Sequence, residues 1–172
     1  ISSWVMSISD KIMISAFLGV TFNGIYSIST KFSMLLSHVF TVFSLSWTES
    51  ASMSTNDSDK SIYFSKIINN VFLVCSFICI IVLASMPIIF KILIENSYFE
   101  AYKYIPILVF ASFFELFSIL IGGVFIALKL SKEISRTTII GGTINILINF
   151  LFLKRYGLIV ACISTLVSYM YI

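Results

Sequence analysis

The sequence predicts an all-α, polytopic membrane helix bundle, and three observations carry that prediction. Of the 172 residues, 59% are hydrophobic and only 11% are charged, against about 45 to 50% and about 25% in a soluble domain. Mean hydropathy is +1.05 and there are 17 Phe, more apolar surface than a body of this size can hide from water, since such a domain still exposes roughly a third of its unfolded surface. Finally, the apolar residues fall into stretches close to the roughly 20 residues that an α-helix needs to cross the ~30 Å hydrocarbon core. Net charge is +3 and scattered, which excludes the clustered basic face of a nucleic-acid binder. Cys75, Cys79 and Cys162 lie in apolar runs, and with one His elsewhere neither a disulfide framework nor a zinc site has its residues. No metal and no cofactor is expected.

Six apolar stretches are predicted as spans. The first, residues 1–19, is interrupted by Asp10 and Lys11, and a break at Val20 to Gly24 carries Asn23 and Gly24, which favour a turn. The second covers 25–47. The stretch 48–66 is the one long polar segment, densest from Ser52 through Ser54, Asn56, Asp57, Ser58, Asp59 and Lys60, and reads as a solvated loop. The third span, 67–90, is free of charge and has Pro87 near its end. After a mixed-charge connection, Lys91 to Tyr104, the fourth covers 105–128, with Pro106 in its first turn, where a missing N–H costs nothing. The fifth, 137–153, follows the polar turn Lys129 to Arg136. Lys154 to Gly157 form a tight turn into the sixth, 158–172. Short connections between long apolar helices make antiparallel neighbours. Both ends of the chain fall inside apolar runs, so it reads as a piece of a longer protein. Loop charge leaves orientation undecided: five Lys and Arg on the side of the 48–66 loop face four on the other.

The second span carries a polar stripe. At about 100° per residue, Asn23, Ser27, Thr30, Lys31, Ser37, His38, Thr41 and Glu49 fall in one sector of about 120°, opposite Ile25, Phe32, Leu36, Val39 and Phe43. An ionised group facing lipid costs at least roughly 3 kcal/mol, so the stripe faces an aqueous cavity or forms a polar seam between packed helices. In the first span Ser3, Ser7 and Asp10 share a face. Asp10 is either a cation or proton site or the neutralising partner of Lys11 or Lys31. Glu115, mid-span with Ser112 and Ser118 a turn away, is either a proton-binding carboxyl or a hydrogen-bonded packing residue. His38 admits the same two readings. Asp57, Ser58 and Asp59 spell the D-x-D metal and nucleotide-sugar motif, though in a Ser- and Asn-rich loop this is ordinarily a solvated tripeptide. Cys75 and Cys79 are expected to be packing residues. Gly122 with Gly123 and Gly141 with Gly142 permit close helix approach, while Asn145 and Asn149 are expected to make interhelical hydrogen bonds.

Two patterns resemble a known family. Asp10-Lys11-x-x-Ile14 is followed by Asn23-Gly24-Ile25-Tyr26-Ser27-x-x-x-Lys31. Further on, Asn145-Ile146-x-x-Asn149 precedes Tyr156-Gly157, with Gly141, Phe150, Ala161, Thr165 and Tyr169 around them. These resemble the Wzx-type O-antigen and polysaccharide flippases of the multidrug/oligosaccharidyl-lipid/polysaccharide superfamily. The chain departs from the family after the Tyr-Gly turn, where Leu158 to Cys162 replace a Gly-Ala-Ala step.

The resemblance covers the whole chain and about half of such a protein. It implies that these helices form most of one lobe, the second, of a two-lobe transporter, with the first two helices on the central cavity and the 48–66 loop in the cytoplasm. It implies translocation of an undecaprenyl-diphosphate-linked oligosaccharide, an O-antigen or capsule repeat unit, across the bacterial cytoplasmic (inner) membrane by ion-coupled alternating access. The implied partners are that lipid-linked substrate, membrane lipids, and a polysaccharide polymerase with other assembly proteins; no nucleic acid and no enzymatic activity is expected. Cavity candidates for the substrate are Lys11, Asn23, Ser27, Lys31, His38 and Thr41, with cations for the diphosphate and hydroxyls for the sugars. Ion-coupling candidates are Asp10 and Glu115. Two alternatives are a multidrug exporter of the same superfamily, which differs in cargo, and a membrane polysaccharide polymerase, which would carry a large loop with catalytic Arg, His or paired acids. The 48–66 loop has neither His nor Arg.

Overall fold

A computed structural model describes residues 2–53 and 59–172, without the side chains of Ser2, Ser3, Val39, Val42 and Lys60. Among these residues the fold is all-α: α1 (Ser2–Phe17), α2 (Val20–Met53), α3 (Lys60–Leu93), a 3-10 helix (Asn96–Lys103), α4 (Ile105–Ala127), α5 (Ser131–Tyr156) and α6 (Ile159–Tyr171). Four helices, α2 to α5, are long and apolar enough to cross a membrane, and they make this a membrane protein. The first and last of the six expected spans correspond to α1, of 16 residues, and α6, of 13, at the two ends of the sequence.

Two connections differ from expectation. The turn before α2 lies at Gly19, not at Asn23 and Gly24. Gly19 has φ +100, a left-handed conformation that costs glycine nothing, and helix resumes at Val20. Asn23 and Gly24 are then helical for tertiary reasons. The Asn23 amide donates to Ser15 Oγ of α1 at 2.8 Å, and a Cβ on Gly24 would lie 3.3 Å from the Tyr98 ring. The polar 48–66 loop shrinks as well, since α2 continues to Met53 and α3 begins at Lys60. Hydroxyls that would favour a loop instead donate back into the helix, Thr48 to the Ser44 carbonyl and Ser52 to the Thr48 carbonyl. Ser54, Asn56, Asp57 and Ser58 lie outside the described residues; Asp59 is exposed and precedes α3.

The α2–α4 pair is the spine of the bundle. Ile25, Phe32, Leu36, Phe40 and Trp47 of α2 meet Ile105, Leu108, Val109, Leu116 and Leu120 of α4, all buried. Ile25, Phe32 and Leu36 belong to the predicted apolar face of α2, Phe40 and Trp47 extend it, Phe43 is exposed instead, and the Val39 side chain lies outside the described residues. Pro106 sits in the first turn of α4 as expected. Trp47 Nε1 donates to the Leu120 carbonyl at 2.8 Å, and the indole lies where Gly123 leaves room: a Cβ there would be 2.8 Å from Trp47 Cδ1 and Nε1. On the other side α6 packs between α4 and α5, and α1 bridges α5 and α2. Gly141 lets α5 approach the end of α6, since a Cβ would fall 2.5 Å from Ile172 Cγ1. Gly122 and Gly142 face open space, so each Gly pair supplies one contact.

On the outside, α3 contacts α4 and α2 along one edge and leaves Phe72, Leu73, Phe77, Ile80, Ile88 and Ile92 exposed. Each such side chain in water would forfeit roughly 1.5–3 kcal/mol of burial, which is why this surface suits lipid. Pro87 is inside α3, where it removes one helical N–H. Cys75 and Cys162 are buried free thiols and Cys79 is a half-buried one, as packing residues should be.

The Trp47–Gly123 contact makes a direct test of the spine. Gly123→Ala is expected to destabilise the protein by about 1–3 kcal/mol through overpacking, read as a lower Tm in detergent. Gly122→Ala, one residue away and facing open space, should leave the Tm unchanged or raise it.

Candidate functional site

Four helices line a half-open cavity of about 340 Å³, with Ser7 and Asp10 from α1, Thr30, Ser33 and Ser37 from α2, Ser112 and Glu115 from α4, and Thr165 and Tyr169 from α6. Larger grooves of about 860 and 610 Å³ run along the outside of α3 and between α1 and α5. Neither contains an acid or a His, and the half-open cavity holds the chemistry.

At one end of it Asp10 is 1% exposed. Its carboxylate accepts from three helices: Tyr26 Oη of α2 to Oδ2 at 2.7 Å, Thr165 Oγ1 of α6 to Oδ2 at 2.8 Å, and Asn149 Nδ2 of α5 to Oδ1 at 2.7 Å. All three donors are neutral. Among the described residues no Lys or Arg pairs with Asp10; the ion pair they do form is Lys103 with Glu100 at 3.8 Å, in the 3-10 helix. Neutralisation by Lys11 or Lys31 is therefore overturned. Lys31 is exposed on α2, and Lys11, half-buried, follows Asp10 at the ~100° helical step that carries it off the cavity face.

Behind Asp10 the two asparagines of α5 do what was expected of them. Asn145 Nδ2 reaches Ser164 Oγ at 3.2 Å and Thr165 Oγ1 at 3.5 Å, and Asn149 Nδ2 is 3.5 Å from Asn145 Oδ1. Asn149 Oδ1 is buried and has no hydrogen-bond partner, although buried amide oxygens are ordinarily paired. Thr165 has one hydroxyl proton and two acceptors, Asp10 Oδ2 and the Ala161 carbonyl, each at 2.8 Å. The proton serves the carboxylate when Asp10 is ionised and can return to the backbone when it is not.

Glu115 stands on another wall, half-buried. Ser37 Oγ donates to Oε2 at 2.9 Å and Tyr169 Oη donates to Oε1 at 3.1 Å. Thr165 and Tyr169 are one turn apart on α6, so one helix face supplies a donor to each of the two acids.

Of the six substrate candidates, His38 lines this cavity and is exposed at its edge. Lys11, Asn23, Ser27, Lys31 and Thr41 do not. Asn23 is turned to Ser15, and Thr41 donates to the Ser37 carbonyl at 2.7 Å. Sequence reasoning missed Tyr26, Ser33, Thr165 and Tyr169 as site residues. Thr165 and Tyr169 are two of several polar positions on α6, with Ser164 and Ser168 beside them, so spacing alone did not single them out, and Tyr26 gives no signal of that kind. Both ion-coupling candidates, Asp10 and Glu115, line the cavity.

Fold and site together define an α-helical membrane protein with an acid- and hydroxyl-lined internal cavity. Comparison with protein-family models, curated proteins and solved structures gives no match.

The clasp on Asp10 makes a quantitative expectation. Tyr26→Phe and Thr165→Val each remove one donor to Oδ2 and should each cost about 1–3 kcal/mol. In the double variant the two losses should depart from additivity by at least about 0.5 kcal/mol, because they share one oxygen. Thermal unfolding of the purified chain measures both; additive losses would mean the donors do not act on a common carboxylate.

Proposed function

We propose that this chain is the ion-coupling part of a bacterial inner-membrane transporter, and that its cargo is a lipid-linked oligosaccharide moved between leaflets by alternating access. The observation that carries the proposal is Asp10. A carboxylate buried in apolar surroundings and clasped by neutral donors lacks the counter-charge that a structural ion pair would provide. Such a group is expensive to retain, and in membrane proteins an ionisable residue of this kind marks an ion or proton pathway. The oxygen acceptors beside it, Asn149 Oδ1 without a partner and the hydroxyl of Thr165, suit either a proton or a small monovalent cation.

Coupling follows from where the donors come from. Asp10 ties α1 to α2, α5 and α6 through Tyr26, Asn149 and Thr165. A cation or proton on the carboxylate would change which of those bonds is favourable, and so would bias how the four helices pack. An ion gradient can drive transport only through such a difference between two packings. The nature of the cargo rests on the resemblance of the Asp10–Lys31 and Asn145–Gly157 patterns to the polysaccharide flippases. Lys31 is exposed and adjoins the lining residue Thr30 in sequence, and in this reading it attracts the diphosphate outside the cavity while the sugars enter between the helices.

Reconstituted in proteoliposomes as part of its full-length protein, the transporter should move a fluorescent undecaprenyl-diphosphate oligosaccharide faster under an imposed sodium or proton gradient. Asp10→Asn, which keeps the side-chain shape, should abolish that acceleration, and Lys31→Ala should lower the rate with the gradient response intact. An Asp10→Asn protein that still responds fully to both gradients would end the proposal.

A further inference from the structure

Five of the hydroxyls that line the cavity have spent their protons on protein acceptors. Tyr26 gives its proton to Asp10, and Ser37 and Tyr169 give theirs to Glu115. Thr30 and Ser33 donate to backbone carbonyls of their own helix, at 3.0 and 2.8 Å. A hydroxyl has one proton and two lone pairs, so what these groups still offer a ligand is acceptor capacity. These five groups favour a ligand that brings donors, and Ser7 and Ser112 stand beside them in the lining.

Charge points the same way. The titratable groups facing the space are Asp10 and Tyr26, Glu115 and Tyr169, and His38 at the edge; among the described lining residues there is no Lys or Arg. The two acids are not equivalent. Asp10 is 1% exposed and accepts three hydrogen bonds, whereas Glu115 is half-buried and accepts two, one on each oxygen. An ionised carboxylate has about four lone-pair sites. Glu115 thus keeps about one free site per oxygen, and no cationic side chain among the described residues pairs with it.

The space also has an aromatic wall. Trp4 lines it and is 67% exposed, and an indole face is the best aromatic partner for an ammonium group. A volume of about 340 Å³ is at the lower end of the ~300–1,000 Å³ of small-molecule sites.

We propose that this cavity is a binding site for a polyhydroxylated group bearing a protonated primary amine, an amino sugar, with Glu115 as the counter-ion of the ammonium. The sugar hydroxyls donate to the free lone pairs of Thr30 and Ser33, and the apolar face of the ring lies against Trp4. A diphosphate is the wrong ligand for this space, because it would face Asp10 and Glu115 with no Lys or Arg among the described lining residues. The choice of a sugar rests on the transport reading above; the preference for positive charge does not.

The experiment is a ligand titration of the purified full chain in detergent, followed by saturation-transfer NMR at constant sodium chloride and at a pH where the amine is protonated. The probes are glucosamine, N-acetylglucosamine, glucose and inorganic pyrophosphate. Glucosamine should bind at least about tenfold more tightly than either neutral sugar, and pyrophosphate should not compete. Glu115→Gln should reduce the preference to less than about threefold, and Trp4→Leu should weaken all three sugars together. Equal affinity for the three sugars, no binding of any of them, displacement by pyrophosphate, or an undiminished preference in Glu115→Gln would each overturn the assignment. If Glu115→Gln does not fold, the ratio among the three sugars in the unaltered protein decides the matter. Because no step here involves a gradient, a negative result would leave the coupling role of Asp10 standing, and loss of that role would leave this binding preference intact.

Discussion

The bundle is organised around one buried carboxylate. Moving an ion-sized charge from water into protein interior costs several kcal/mol even after relaxation, and Asp10 meets that cost with hydrogen bonds from Tyr26, Asn149 and Thr165 at 2.7 to 2.8 Å. Hydrogen bonds to a charged group stabilise by roughly 1.5–3 kcal/mol each, so three of them are of the size needed. Because the donors come from α2, α5 and α6, satisfying the charge also ties α1 to three other helices. The cavity is a consequence of the same constraint. Polar side chains converge on Asp10 from several helices and leave the packing there looser than along the α2–α4 spine.

Helix α2 mediates between the two regimes. Along one face Phe32, Leu36, Phe40 and Trp47 build the apolar seam with α4. Along another, Tyr26, Thr30, Ser33 and Ser37 face the cavity. Its hydroxyls would be a liability in an apolar medium if they were left open. Thr30, Ser33, Thr41, Ser44 and Thr48 all resolve this by donating to a carbonyl three or four residues back. That local solution keeps the helix continuous through a sequence that reads as polar, and it carries α2 six residues beyond the expected end at Trp47, to Met53.

What was legible in the sequence was set by how local its cause is. Apolar stretches and their lengths gave the helices, and angular spacing gave the apolar face of α2. Asp10 and Glu115 stood out because charge is rare in such a chain, and both line the cavity. The failures have non-local causes. Lys31 shares a helical sector with Ser37 and His38, but sector membership does not say how far the wall of a cavity extends, and the lining passes from Thr30 to Ser33 without including Lys31. Asn23 and Gly24 carry turn chemistry, yet α2 retains them because Ser15 and Tyr98 need those positions. Tyr26 looks like one more aromatic residue until the fold sets its hydroxyl against Asp10.

The spacing on α6 links the two acids mechanically. Thr165 reaches Asp10 and Tyr169, one turn further on, reaches Glu115. A helix rotates and slides as a unit, so a displacement of α6 that withdraws Thr165 from Asp10 also carries Tyr169 away from Glu115. The reverse holds as well: whatever occupies Glu115 and competes for the Tyr169 hydroxyl bears on the helix that holds Thr165. Two sites that bias one rigid element are coupled reciprocally, whichever is filled first. Gly141 allows α5 to lie close against the end of α6, and Asn145 is hydrogen-bonded to Ser164 and Thr165, so α5 and α6 form a closely packed pair. In this bundle the two acids are therefore joined through α6, which packs between α4 and α5.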